Sequence, residues 1–98
     1  MKYEIAPKST ETRLTWEEAR MYCFSLNIDG KIGWRLPTKE ELNEIYESVN
    51  DFEKAWYWSS TENNGNTAWS QGFNGGYRSN GGNKVNGLNY VRAIRSIP

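Results

Sequence analysis

The 98-residue sequence has no histidine and a single cysteine, Cys23. Zinc sites built on His and Cys, a Ser–His triad and a Cys–His pair therefore all lack their parts. Cys23 has no second cysteine with which to close an intrachain disulfide. Net charge is missing too: 12 basic residues balance 12 acidic ones. A nucleic-acid binder usually shows a clear basic excess, so no nucleic-acid partner is expected. No apolar run approaches the ~20 residues of a membrane span, and no membrane partner is expected. The opening residues, Met1-Lys2-Tyr3-Glu4-Ile5, lack the apolar stretch of a secretory signal. No metal, cofactor or catalytic residue is assigned, and enzymatic activity is not expected.

What the chain does have is aromatic side chains: five Trp, six Tyr and three Phe. Each can bury about 150–250 Å², enough for a few of them to dominate a small core. The length fits one domain, taken as residues 1–98. Charge is unevenly distributed. Residues 1–53 hold every acid except Glu62, whereas residues 54–98 carry Lys54, Arg78, Lys84, Arg92 and Arg95. This imbalance reads as a solvated surface offset by the first half of the chain.

Residues 2–6 alternate polar and apolar and predict a short strand ending at Pro7, with Ser9–Thr12 as a polar connector. Thr15-Trp16-Glu17-Glu18 is a capping box that opens a helix to about Leu26. Trp16, Ala19, Tyr22, Cys23 and Leu26 form its buried stripe, which makes Cys23 a core residue. Asp29-Gly30 marks a turn. Pro37 holds Leu36 extended, and Thr38-Lys39-Glu40-Glu41 caps a second helix, Lys39 to about Val49. Leu42, Ile45, Tyr46 and Val49 fix its apolar face, leaving Glu40, Glu41, Glu44 and Glu47 as a solvated one.

After Asn50 the character changes. Trp56–Thr61, Ala68–Phe73 and Tyr90–Ile97 predict three strands, the last the most central and paired with the first strand of the chain. Between them Asn63–Asn66, Asn74–Gly76 and Ser79–Gly87 read as loops and hairpin turns, because Asn and Gly tolerate the conformations turns need. The order of elements gives an α+β fold, two helices on a small, twisted, mostly antiparallel sheet with long Asn/Gly-rich loops.

Several runs occur in a telling order: Leu14–Cys23, then Trp34-Arg35-Leu36-Pro37-Thr38 with Glu41-Leu42, then Tyr57-Trp58-Ser59-Ser60-Thr61, Ala68-Trp69 with Phe73, and Tyr90-Val91-Arg92 with Arg95. Together they resemble C-type-lectin-like domains, and more closely the Legionella collagen-like protein C-terminal domain family. The resemblance implies a C-type-lectin-like fold and a role like that of adhesins, cell-surface proteins or phage receptor-binding proteins. Location stays open in the sequence, with a virion or cell surface expected if the chain is part of a longer protein. Some members resemble the variable proteins of diversity-generating retroelements, in which adenine-directed mutagenesis rewrites Asn codons. The sequence departs from animal C-type lectins in lacking their paired cysteines and the calcium-binding Glu-Pro-Asn and Trp-Asn-Asp motifs. Calcium-dependent sugar recognition is therefore not carried over. Nor is the chemistry of the formylglycine-generating enzymes, which needs a reactive cysteine pair.

The candidate ligand-binding residues are Asn63, Asn64, Asn66, Trp69, Asn74, Tyr77, Arg78, Ser79, Asn80, Asn83 and Asn86. Tyr offers rigid contact area, while Ser, Gly and Asn offer adaptable hydrogen bonds. The expected partner is a host-surface protein or glycan, and a homo-oligomer is compatible with this reading. The alternative is a structural or assembly domain, such as an oligomerising head or a virion decoration. Trp34–Pro37 reads as structural and Trp58–Ser60 as a buried strand with its hydroxyls bonded to backbone, while Arg92 and Arg95 either face a ligand or, the preferred reading, fix loops by bonding their carbonyls.

Overall fold

The computed structural model describes residues 2–97. Strand β1 (Tyr3–Ile5) leads through a 3-10 turn at Lys8–Thr10 into β2 (Thr12–Leu14) and helix α1 (Trp16–Ser25). Then follow β3 (Trp34–Arg35), α2 (Lys39–Ser48), β4 (Trp56–Glu62), β5 (Thr67–Gly72), β6 (Arg78–Asn83), β7 (Asn89–Val91) and β8 (Ile94–Ser96). The strands form two mostly antiparallel sheets, one ordered β1-β8-β3 and the other β2-β7-β4-β5-β6. The fold is α+β, as the element order predicts.

Both helices start where their capping boxes place them. Glu18 accepts from the Thr15 N–H at 3.2 Å. At α2 the Thr38 hydroxyl accepts from Glu41 N at 3.1 Å while Glu41 accepts from Thr38 N at 2.8 Å. Trp16, Ala19 and Cys23 of α1 join Trp34, Leu36, Trp58, Ala68, Val91 and Ala93 in one buried cluster. Ile45 of α2 joins Tyr3 and Ile94 in a second, with Phe52 and Phe73 packed against it. Alternation along the strands sends Trp58 and Ala68 towards α1, whereas Gln71 donates to Asn43 of α2 at 3.0 Å. The large sheet is therefore covered by one helix on each face.

Several expectations need correction. The strands make two sheets, not one. Tyr90–Ile97 is not one strand: the chain leaves the large sheet after Val91 and enters the small one at Ile94. The break falls where the Arg92 guanidinium turns inward and the Ala93 carbonyl accepts from Ala6 N at 2.9 Å. Within Ser79–Gly87, Arg78–Asn83 is a strand, β6, and the loop begins at Lys84. Thr12 lies in strand β2 rather than in a connector, because residues 12–14 pair with β7. The predicted pairing of first and last strands is present, Tyr3↔Ser96 through Ile5↔Ile94.

Glu41 is not part of a solvated face. Arg35 grips it with two parallel bonds of 2.8 and 2.9 Å, tying β3 to the start of α2. Glu44 accepts from the Tyr3 hydroxyl at 2.6 Å. Arg92 and Arg95 do reach carbonyls, of Ala6 at 2.8 Å and Ile32 at 2.9 Å, and both also pair with carboxylates.

Candidate functional site

The hairpin turn between β4 and β5 carries Asn63, Asn64 and Asn66. The Asn64 side-chain oxygen accepts from Asn66 N at 2.8 Å, Thr67 N at 2.9 Å and the Thr67 hydroxyl at 3.1 Å. Asn63 bonds Thr67 through both its backbone and its side-chain amide. After β6 the Asn83 side chain does similar work, accepting from Val85 N and Asn86 N, each at 2.9 Å. These are side-chain substitutes for main-chain turn bonds.

Lys84 joins the two turns. Its backbone N–H donates to the Asn66 carbonyl at 3.0 Å. Its buried ammonium donates to Glu62 at 2.8 Å and lies 4.4 Å from the centre of the Trp16 ring. That ammonium holds the Glu62 carboxyl below its ordinary range. Asn63, Asn64, Asn66, Asn83 and Asn86 therefore gather at one end of the β4-β5-β6 meander, on a frame bolted to the core.

Asn74 and Tyr77 sit at the other end, in the β5–β6 turn where Gly72 N donates to the Tyr77 carbonyl at 2.7 Å, and Arg78 opens β6 beside them. A strand as long as β5 separates the two ends by about 17 Å, at ~3.3 Å per residue. Ser79 and Asn80 lie between them on β6, the edge strand of the large sheet. Trp69 belongs to neither group. It is half-buried, with the Lys39 ammonium 4.2 Å from its ring centre. The predicted residues thus occupy two separate tips and a connecting edge.

Two of the glycines among them have a packing reason. A Cβ on Gly82 would stand 2.6 Å from the Trp58 ring, and one on Gly87 would stand 2.7 Å from the Asn83 carbonyl oxygen. Ser59, read as bonded to backbone, donates to the Trp69 carbonyl at 2.7 Å. Cys23 is fully buried, and burial pushes its thiol up to about 12. Such a thiol stays protonated at neutral pH.

Sequence reasoning missed two concave features. One is an apolar groove of about 590 Å³ beside α1, where Met21 and Phe24 stand exposed over Trp34 and Leu36. Met21 and Phe24 are three apart and off the buried stripe, and that spacing was a signal for it. The other is a cleft of about 230 Å³ lined by Arg13, Ala55, Trp56, Leu88, Asn89 and Tyr90. It draws on three separate stretches of chain, and no local pattern announces it. Among the described residues no group of three or more His, Cys, Asp or Glu side chains could hold a metal ion. Among the described residues no helix is long and apolar enough to cross a membrane.

Comparison with known proteins identifies the family of the chain. The model of the Lcl C-terminal domain family matches residues 3–95, and the chain belongs to that family. No curated protein matches the chain.

Proposed function

We propose that the protein is a non-catalytic ligand-recognition module, of the adhesin or phage receptor-binding kind, that contacts a host-surface protein or glycan through its Asn-rich turns and β6. One observation carries this reading: exposed contact groups stand on turns already tied down by their own hydrogen bonds. Val85, on the turn that Asn83 holds, and Tyr77, in the opposite turn that the backbone bonds of Gly72 and Gly76 close, are each 75% exposed. Such tips lose little freedom on binding, so more of their contact energy appears as affinity. Because the two tips lie apart, a ligand that engages both must be macromolecular in size. The Tyr77→Ala/Arg78→Ala double variant is expected to keep its fold by circular dichroism. It should bind the host surface at least about tenfold more weakly if Tyr77 is an anchor. Unchanged binding would remove this tip from the site.

The same reading extends to diversification of the turns, and the structure sharpens what that would look like. Substituting Asn64 or Asn83 would remove bonds that shape a turn, whereas Asn74, Tyr77, Arg78, Asn80 and Asn86 project from the surface. Sequencing the gene across its natural population should find substitutions concentrated at the second group and rare at Asn64 and Asn83. Loop codons that vary no more than those of the helices would rule diversification out.

A further inference from the structure

We propose that the cleft at the start of β4 and β7 is a binding site for a free carboxylate carried on a compact apolar group, the chemistry of a peptide's C-terminal residue. Strands β4 and β7 run parallel and share a single pairing, Tyr57↔Tyr90. Next to it the chains part, and the gap is walled by Ala55 and Trp56 on one side and Leu88 and Asn89 on the other. This site is separate from the turn-borne surface, and neither reading needs the other.

The walls are apolar and partly wet. Trp56 is 41% exposed and Leu88 53% exposed. The indole of Trp56 is held in place: it packs on Gly72, where a Cβ would come within 3.2 Å of it. Tyr90 is fixed from behind by Tyr57, with ring centres 5.4 Å apart. A preformed apolar recess of this kind gains from taking up an apolar side chain, because wet apolar surface leaves water. Its volume of about 230 Å³ lies below the ~300–1,000 Å³ of drug-sized clefts, which suits one side chain.

The polar groups at the mouth define the charge of the ligand. Arg20, Arg35, Arg92 and Arg95 all have carboxylate partners. Arg13 has none among the described residues; its guanidinium stands 5.9 Å from the centre of the Tyr90 ring. No acidic residue lines the cleft, so nothing there competes for that cation. The Asn89 side chain also has no hydrogen-bond partner among the described residues and can meet a ligand amide. A guanidinium fork and a primary amide beside an apolar recess match a terminal carboxylate, its amide and its side chain. A sugar ring fits less well, because its several hydroxyl donors would find no carboxylate among these side chains.

The test is a titration followed through backbone and indole N–H resonances, using N-acetyl-L-leucine, its carboxamide and methyl glucopyranoside. The acid should give saturable shifts at the Trp56 indole N–H and at Asn89. The carboxamide should bind about tenfold or more weakly, the loss expected for a charge-assisted bond. Arg13→Gln should bring the acid down to the carboxamide's affinity while resonances far from the cleft stay in place. The acid–carboxamide comparison uses the unaltered protein, so it stands even if that variant does not fold. Equal affinity for acid and carboxamide would overturn the proposal. So would saturable shifts with the glucoside alone, no saturable shift at millimolar acid, or a folded Arg13→Gln protein that still prefers the acid.

Discussion

Arg92 brings a full charge into the interior with only 5% of its surface exposed, and the surrounding structure is arranged to receive it. Its Nε donates to the Ala6 carbonyl at 2.8 Å, one terminal nitrogen reaches Glu11 at 3.1 Å, and the other reaches Asp51 at 2.9 Å. Its Cζ lies 4.6 Å from the centre of the Phe52 ring. One side chain thereby ties the segment after β1, the 3-10 turn and the linker before β4. Glu11 depends on it most, since its side chain is only 7% exposed. Replacing Arg92 with Ala leaves that carboxylate only the Tyr57 hydroxyl at 2.9 Å and the Lys8 ammonium at 3.7 Å, and breaking a buried pair costs up to about 3–5 kcal/mol. Urea unfolding should show that loss as a lower midpoint. The sequence left Arg92 between a ligand role and a loop-fixing role. Spacing along one strand could not reveal carboxylates some 40 and 80 residues away.

Among the elements, the helices were legible because their signals are local. Capping boxes and apolar stripes lie within ten residues, and the helix starts and buried faces follow from them. Strands Trp56–Glu62 and Thr67–Gly72 were legible from aromatic content. Strand β6 was not, because Arg-Ser-Asn-Gly-Gly-Asn has no strand propensity of its own. It is a strand because β5 offers a pairing edge and because Gly82 leaves room for the Trp58 ring. The split of Tyr90–Ile97 was equally invisible, since β-propensity does not say which sheet a residue joins. Of the candidate site, the turns and their exposed residues were readable from Asn and Gly content. Their division between two tips, and the cleft at Arg13, depended on strand order.

The link between β3 and α2 makes an element-scale prediction about pH. Glu41 is held below its ordinary value of 4.5 first by the hydrogen bonds from Arg35, helped by the Thr38 N–H. A carboxyl whose pKa is lowered by folding contributes stability that is fully present above the unfolded value. That contribution is lost as pH falls through the folded one. Glu4, Asp51 and Glu62 are shifted the same way by Arg95, Arg92 and Lys84. The urea midpoint should therefore hold near neutral pH and fall as the solution is acidified below about 4.5, the ordinary Glu value. In Glu41→Gln the midpoint should start lower and fall less over the same range. An equal fall in both proteins would mean that Glu41 takes no part in acid sensitivity.

At the scale of the whole molecule, the chain makes its last and shortest crossing between the two sheets from Val91 to Ile94. The three-residue strand beyond it lies in the middle of the small sheet, with β1 on one side and β3 on the other. Both neighbours are made far earlier, and neither pairs with the other. As a polypeptide is synthesised from its N-terminus, Tyr3–Ile5 and Trp34–Arg35 must wait, unpartnered, until Ile94–Ser96 has cleared the ribosome. The small sheet is thus a checkpoint on completeness: a message that stops after Ala93 encodes both helices and the whole of the large sheet, yet none of the pairings that make the small one.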